Sequence, residues 1–137
     1  MFASNRDGEF RVYTLDLDGS SDRLVTPGTM IANFPSWSPE GDSILFSGST
    51  DGNQYDLYTV KPDGSRLLQL TRTGSLSERE GVFSPDGRWI AFEATPPDAP
   101  REFERSIYVL KVDSGQVRKL TQSKFHDTSP SWVSEQN

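Results

Sequence analysis

The chain has 137 residues, with 20 Asp and Glu against 14 Lys and Arg, a net charge of −6 and no cysteine. The acidic balance argues against a nucleic-acid backbone as partner, because phosphates are repelled rather than neutralised, and the missing thiols exclude disulfides and thiolate chemistry. No apolar run approaches the roughly 20 residues of a membrane-spanning helix, and the start, Met1-Phe2-Ala3-Ser4-Asn5-Arg6-Asp7, has no apolar stretch of the signal-peptide kind.

Taken in chain order, the sequence reads as short strands punctuated by turns. Phe2-Ala3-Ser4 is a strand ended by Asp7-Gly8; residues 10–17 form the next, followed by Asp18-Gly19; another ends in Leu24-Val25-Thr26. Ser36-Trp37 opens a new unit and is followed by the turn Ser38-Pro39-Glu40-Gly41. Its order suits a type I turn: Ser accepts backbone hydrogen bonds, Pro presets φ and Gly closes. Strands at 44–47 and 56–60 flank Asp51-Gly52, a strong hairpin signal, and after Asp63-Gly64 a fourth strand ends in Leu70-Thr71. The third unit repeats the order through Val82-Phe83, Ser84-Pro85-Asp86-Gly87, strands at 89–92 and 106–112, Ser114-Gly115 and Leu120-Thr121. Ser131-Trp132 then begins the phrase again. No long window carries apolar residues at helical spacing, while Gly and Pro arrive every 8 to 12 residues, so the prediction is all-β.

The units keep a common beat. Trp37, Phe83 and Trp132 stand 46 and 49 residues apart, and Tyr13, Tyr58 and Tyr108 each precede Thr26, Thr71 and Thr121 by 13. A period in the mid-forties with four antiparallel strands per unit is a β-propeller blade. The boundaries predicted are strands 2–4 of a first blade at 1–27, a second blade at 34–72, a third at 81–122 and the first strand of another at 129–134. Leu15, Leu17, Ile44, Leu45 and Ile90 are expected to pack between blades, and Trp37, Phe83, Trp132, Tyr58 and Tyr108 to be core.

Three blades fall short of the 4–8 with which propellers close, and an open array leaves bare edges and faces. The expectation is a homodimer in which each copy lends its Trp132 strand to the Phe2-Ala3-Ser4 strand of the other, completing a six-bladed ring. The alternative is a piece of a longer propeller or peptidase chain.

The phrases Pro35-Ser36-Trp37-Ser38-Pro39-Glu40-Gly41, Phe46-Ser47, Asp51-Gly52, Asp56-Leu57-Tyr58, Asp63-Gly64 and Leu70-Thr71 resemble the repeat of TolB-type propellers. The third unit follows the pattern in Phe83-Ser84-Pro85-Asp86-Gly87, Ile90-Ala91-Phe92, Ile107-Tyr108-Val109 and Leu120-Thr121. This WD-like unit also builds the propeller domains of prolyl-oligopeptidase-type peptidases. The resemblance spans essentially the whole chain and implies propellers that are commonly six-bladed. It also implies a periplasmic protein that binds a peptidoglycan-associated lipoprotein; no residue here matches those contacts specifically, so the partner is not carried over, and the periplasm is implied by the resemblance only. A repeat signature specifies a scaffold rather than an activity.

Function is expected at the channel mouth, where the fourth strand of one blade leads into the first strand of the next. By distance from the aromatic anchor, Asn33, Arg79 and Thr128 are equivalent, preceded by Ala32, Glu78 and Asp127, with His126 beside them. Asn33, Glu78, Arg79, His126, Asp127 and Thr128 are the candidate partner-binding residues. The third unit also carries a longer, Pro-rich loop at 95–105, in which Arg101, Phe103 and Arg105 are loop candidates, since specificity tends to reside in such insertions.

No HExxH, GxSxG or Cys constellation is present, so no catalytic residue, metal or cofactor is assigned. A lone His126 would need a second copy to make a symmetric metal site, and the Glu78/Glu80 and Glu102/Glu104 pairs read as solvated charge. The reading is a non-enzymatic binding module for a protein or peptide, with neither nucleic acid nor membrane insertion. The alternative is a propeller hydrolase or lyase acting on saccharides.

Overall fold

A computed structural model describes residues 1–96, 99, 104–122 and 125–134. Among these residues eleven strands form three antiparallel sheets in chain order. The first sheet contains β1 (Phe2–Ser4), β2 (Arg11–Leu15) and β3 (Asp22–Leu24). The second contains β4 (Ile31–Trp37), β5 (Ile44–Ser49), β6 (Asp56–Val60) and β7 (Leu68–Gln69). The third contains β8 (Ser77–Phe83), β9 (Trp89–Thr95), β10 (Ser106–Lys111) and β11 (Gln116–Lys119). Each sheet is a simple meander, as a propeller blade requires.

The repeated residues have repeated jobs. Phe2 pairs with Tyr13, Phe46 with Tyr58 and Phe92 with Tyr108 across neighbouring strands. The rings of each pair stack with centroids 5.6, 5.6 and 5.7 Å apart. The conserved spacing of Tyr to Thr is a hydrogen bond: the hydroxyls of Thr26, Thr71 and Thr121 accept the N–H groups of Val12, Leu57 and Ile107 at 3.1, 2.9 and 3.0 Å. Replacing Thr26, which is buried, by Val leaves the Val12 N–H without its acceptor. The expected loss is about 1–2 kcal/mol, read from urea unfolding; an unchanged midpoint would contradict this role. In the Ser-Pro-acid-Gly turns, the Ser38 and Ser84 hydroxyls accept the N–H groups of Ser43 and Trp89, and Gly41 and Gly87 take φ of 70° and 69°, the left-handed region glycine tolerates.

Packing between blades supplies the core. Val12 and Val25 of the first blade meet Ile44, Phe46 and Val60 of the second. Leu45 and Leu57 of the second meet Ile90, Phe92 and Leu110 of the third. Ile44, Leu45 and Ile90 are fully buried, as expected. Leu15 and Leu17 are not: they are 46 % and 109 % exposed, because the face of the first blade away from the second packs against no sheet and Leu17 lies beyond the end of β2. The expectation of a uniformly buried aromatic set is also corrected. Tyr108 is buried and Tyr58 and Phe83 are partly buried, but Trp37 and Trp132 are 40 % and 38 % exposed. Trp37 sits at the C-terminal end of β4, and Trp132 lies in a segment without sheet pairing.

The inner strands start earlier than the aromatic pairs suggest, at Ile31 and Ser77. Each is bulged: pairing slips between Asn33 and Ser36 and between Arg79 and Val82. At these slips Phe34 and Glu80 take φ of 54° and 51°, and Ser129, at the equivalent place, takes 54°. A non-glycine residue in this region costs about 1–2 kcal/mol, so three in register mark a built feature of the repeat. Residues 129–134, expected as a strand, carry no sheet pairing. A strand needs a partner edge, and among the described residues none pairs with them. They keep the path of an inner strand nonetheless. The Asp127 N–H donates to Arg105 O at 3.1 Å, as Ala32 N–H does to Phe10 O and Glu78 N–H to Tyr55 O, each at 2.8 Å, and the Trp132 indole donates to Val82 O at 3.0 Å.

Candidate functional site

The starts of the inner strands lie at one end of the blades, and the structure places the predicted residues there in three equivalent settings. Asn33 pairs with Ser47 and Arg79 with Glu93, the same register in successive blades. Thr128 and His126 are exposed and Asp127 is partly buried, all in the segment that continues this end past the third blade. Arg101 and Phe103 lie outside the described residues; Arg105 lies within them, just ahead of β10.

Glu78 departs from the solvated charge expected of it, for its side chain is fully buried. It reaches from β8 into the second blade, where one carboxylate oxygen accepts from the Thr71 hydroxyl and, at 3.3 Å, from the Leu57 N–H. The other oxygen is bonded to the Thr73 hydroxyl at 2.9 Å. Burial disfavours its charge, and nearby Asp56 adds to the effect, so its pKa is pushed up to about 7 despite the hydroxyls and amide that favour the ion. Its oxygens are spent on the protein and sealed from solvent, which suits a rivet between blades better than an acid facing a substrate.

Glu93 is the second buried carboxylate, 1 % exposed, on β9. Arg105 Nη1 donates to its Oε1 at 2.9 Å, and its Oε2 has no hydrogen-bond partner among the described residues. Burial raises its pKa, opposed chiefly by the Arg105 charge. Arg79 stands close by with its guanidinium 4.8 Å from the Tyr55 ring centroid, a stacked cation–π arrangement. Glu80, bulged outward, accepts from the Ser129 hydroxyl at 3.2 Å. A cleft of about 480 Å³ opens here between residues 52–54 of the second blade and Arg79, Thr95, Pro96 and Arg105 of the third. The structure therefore brings Arg79 and Arg105 to one cleft, while Glu78 turns away into the blade junction. Glu93 was missed by sequence reading, and its only signal is a carboxylate at the position where the second blade has Ser47. Among the described residues no group of three or more His, Cys, Asp or Glu could hold a metal ion.

Three meandering blades packed face to face, with a bulged inner strand in the second and third, define a β-propeller array. No protein-family model matches the chain. It is 31 % identical over 125 residues to the Tol-Pal system protein TolB of Anaeromyxobacter dehalogenans, covering 91 % of this chain and 27 % of that protein. Among solved structures it is similar to a putative TolB from Agrobacterium tumefaciens, with a TM-score of 0.75 and 25 % identity over 85 % of this chain and 43 % of that one. An oligogalacturonate lyase in complex with manganese shares the fold, with a TM-score of 0.60 and 20 % identity over 90 % of this chain and 31 % of that one. The chain thus spans less than half the length of each of these proteins.

Proposed function

We propose that this chain is a non-enzymatic binding scaffold that takes a protein or peptide partner at the inner-strand end of the blades. The observation that carries the reading is the cleft there, where Arg79 on β8 and Arg105 just ahead of β10 line one wall. Likeness to Tol-Pal system proteins supports a protein-binding role over a catalytic one. Asn33, Asp127, Thr128 and His126 form the rest of this end, with Glu78 buried behind it, bonded to Thr71 and Thr73. The test is a panel of acidic, neutral and basic peptides against the wild type and Arg79→Glu. Binding that the reversal alters supports the mouth as the site; a panel on which every peptide is silent overturns it.

The ring that presents this mouth is closed, in our reading, by a second copy. Among the described residues β1 has no partner on its inner side, and the Phe2–Tyr13 stack, whose counterparts are packed between blades, meets the Arg6 guanidinium 5.2 and 4.6 Å from the two ring centroids rather than a neighbouring sheet. Carrying the observed pairings Asn33↔Ser47 and Ala32↔Gly48 one unit on sets Thr128 opposite Ala3, and Asp127 opposite Ser4, of the other copy. Because the chain has no cysteine, Thr128→Cys with Ala3→Cys tests this directly. The expected result is a mass of twice 15.3 kDa in light scattering and a disulfide-linked dimer under oxidising conditions. A monomer that stays uncrosslinked overturns the exchange.

A further inference from the structure

The cleft between the second and third blades reverses the sign of the molecule's charge. The chain carries −6 overall, yet the cleft has two arginines and, among the described residues, no carboxylate in its lining. Arg105 is half committed, with one Nη on the buried Glu93. Arg79 keeps its donors unpaired: its charge acts on Glu93 opposite it, but among the described residues its guanidinium makes neither a hydrogen bond nor an ion pair, and the Tyr55 ring centroid lies 4.8 Å away. Stacking on an aromatic face fixes the plane of a guanidinium while leaving its edge donors free, the arrangement in which Arg takes a carboxylate through two parallel bonds. The amides of Asn53 and Gln54 and the Ser77 hydroxyl add neutral hydrogen-bonding groups, and Leu76 and Pro96 add apolar wall. About 480 Å³ lies within the range of pockets that bury small ligands or a few residues of a peptide.

We infer that this cleft binds the carboxylate side chain of an acidic peptide segment, with Arg79 as the bidentate anchor and Arg105 as the flanking charge. The inference rests on the peptide-binding reading of the same end of the blades and names the chemistry of the partner. Recognition is local. Charges more than about 8 Å apart are largely screened at physiological ionic strength, so the net −6 slows the approach of an acidic segment more than it weakens the docked contact.

The test is calorimetric titration with end-blocked triglutamate, triglutamine and trilysine peptides and with the trisaccharide of galacturonic acid, which offers carboxylates on a sugar. Triglutamate is expected to bind, triglutamine to bind about tenfold or more weakly, and Arg79→Gln to weaken triglutamate about tenfold or more. Arg79→Lys, which keeps the charge but not the fork, should fall between; thermal melting checks that both variants fold. Equal affinity for triglutamine, or an unaltered Arg79→Gln, overturns the inference. Tighter binding of the sugar acid than of triglutamate also overturns it, moving the site to saccharides. Trilysine or triglutamine binding with triglutamate silent sinks this inference and leaves the mouth as a peptide site, whereas silence of every peptide sinks both.

Discussion

Replacing Phe92 by Ala is expected to destabilise the protein by about 3–5 kcal/mol. Phe92 is fully buried, stacks on Tyr108 and fills the junction of the second and third blades with Leu45, Leu57, Ile90 and Leu110. Truncation removes its transfer energy and opens a cavity that two β-sheets cannot collapse to fill. Domains are stable by only about 5–15 kcal/mol in total, so the variant should lose a large part of its unfolding midpoint in urea. A loss below about 1 kcal/mol would mean that the blades are not packed as described. Phe46→Ala should behave alike at the other junction, where it is also fully buried. Phe2→Ala is informative by contrast. Its ring is only partly buried beneath Arg6, so an open array loses less there, whereas a closed ring would make its cost match that of Phe46.

The second large effect depends on pH. The carboxyl of Glu78 titrates at about 7 in the folded chain against an ordinary 4.5, so the folded state favours its protonated form. That stability is present in full below the unfolded value and is lost as pH rises through about 7. Glu78→Gln mimics the neutral acid: its carbonyl can accept from the Thr71 hydroxyl and Leu57 N–H, and its amide can donate to Thr73. The variant should match the wild type near about pH 4 and exceed it by up to about 3 kcal/mol near about pH 8. Equal differences from wild type at the two pH values would rule out a buried, proton-dependent rivet. Glu93 and Asp56, both raised chiefly by burial, push in the same direction. Asp42, lowered chiefly by its bond from Lys61, and Asp51 and Asp86, lowered by hydrogen bonds within their turns, push oppositely.

Much of the architecture was legible because turn chemistry and repetition are local. Asp-Gly and Ser-Pro-acid-Gly specify chain reversals through φ and through side chains that bond their own backbone, as in Ser38 and Ser84. The constant spacing of Tyr58 to Thr71 signalled a fixed relation, though not that the hydroxyl would accept Leu57 N–H. The bulge at Phe34 and Glu80 was illegible, since neither residue type announces a positive φ; only its recurrence at Ser129 reveals it. At the candidate site, position along the repeat put Arg79 near the start of an inner strand, where β8 begins at Ser77, but could not show which neighbours faced it. Glu78 and Arg79 are adjacent in sequence and opposite in fate, one sealed between blades and one stacked over Tyr55 at a cleft.

By itself, then, the sequence determined the strand count of each blade, the turns between strands and the aromatic pairs within a sheet, because hydrogen bonding and φ preferences act over a few residues. Only the tertiary structure decided which carboxylates lost their water and which arginine kept its donors free. Those outcomes arise where one blade meets the next, and desolvation there depends on residues some 20 to 50 positions away, as Glu78 does on Leu57 and Trp132 on Val82.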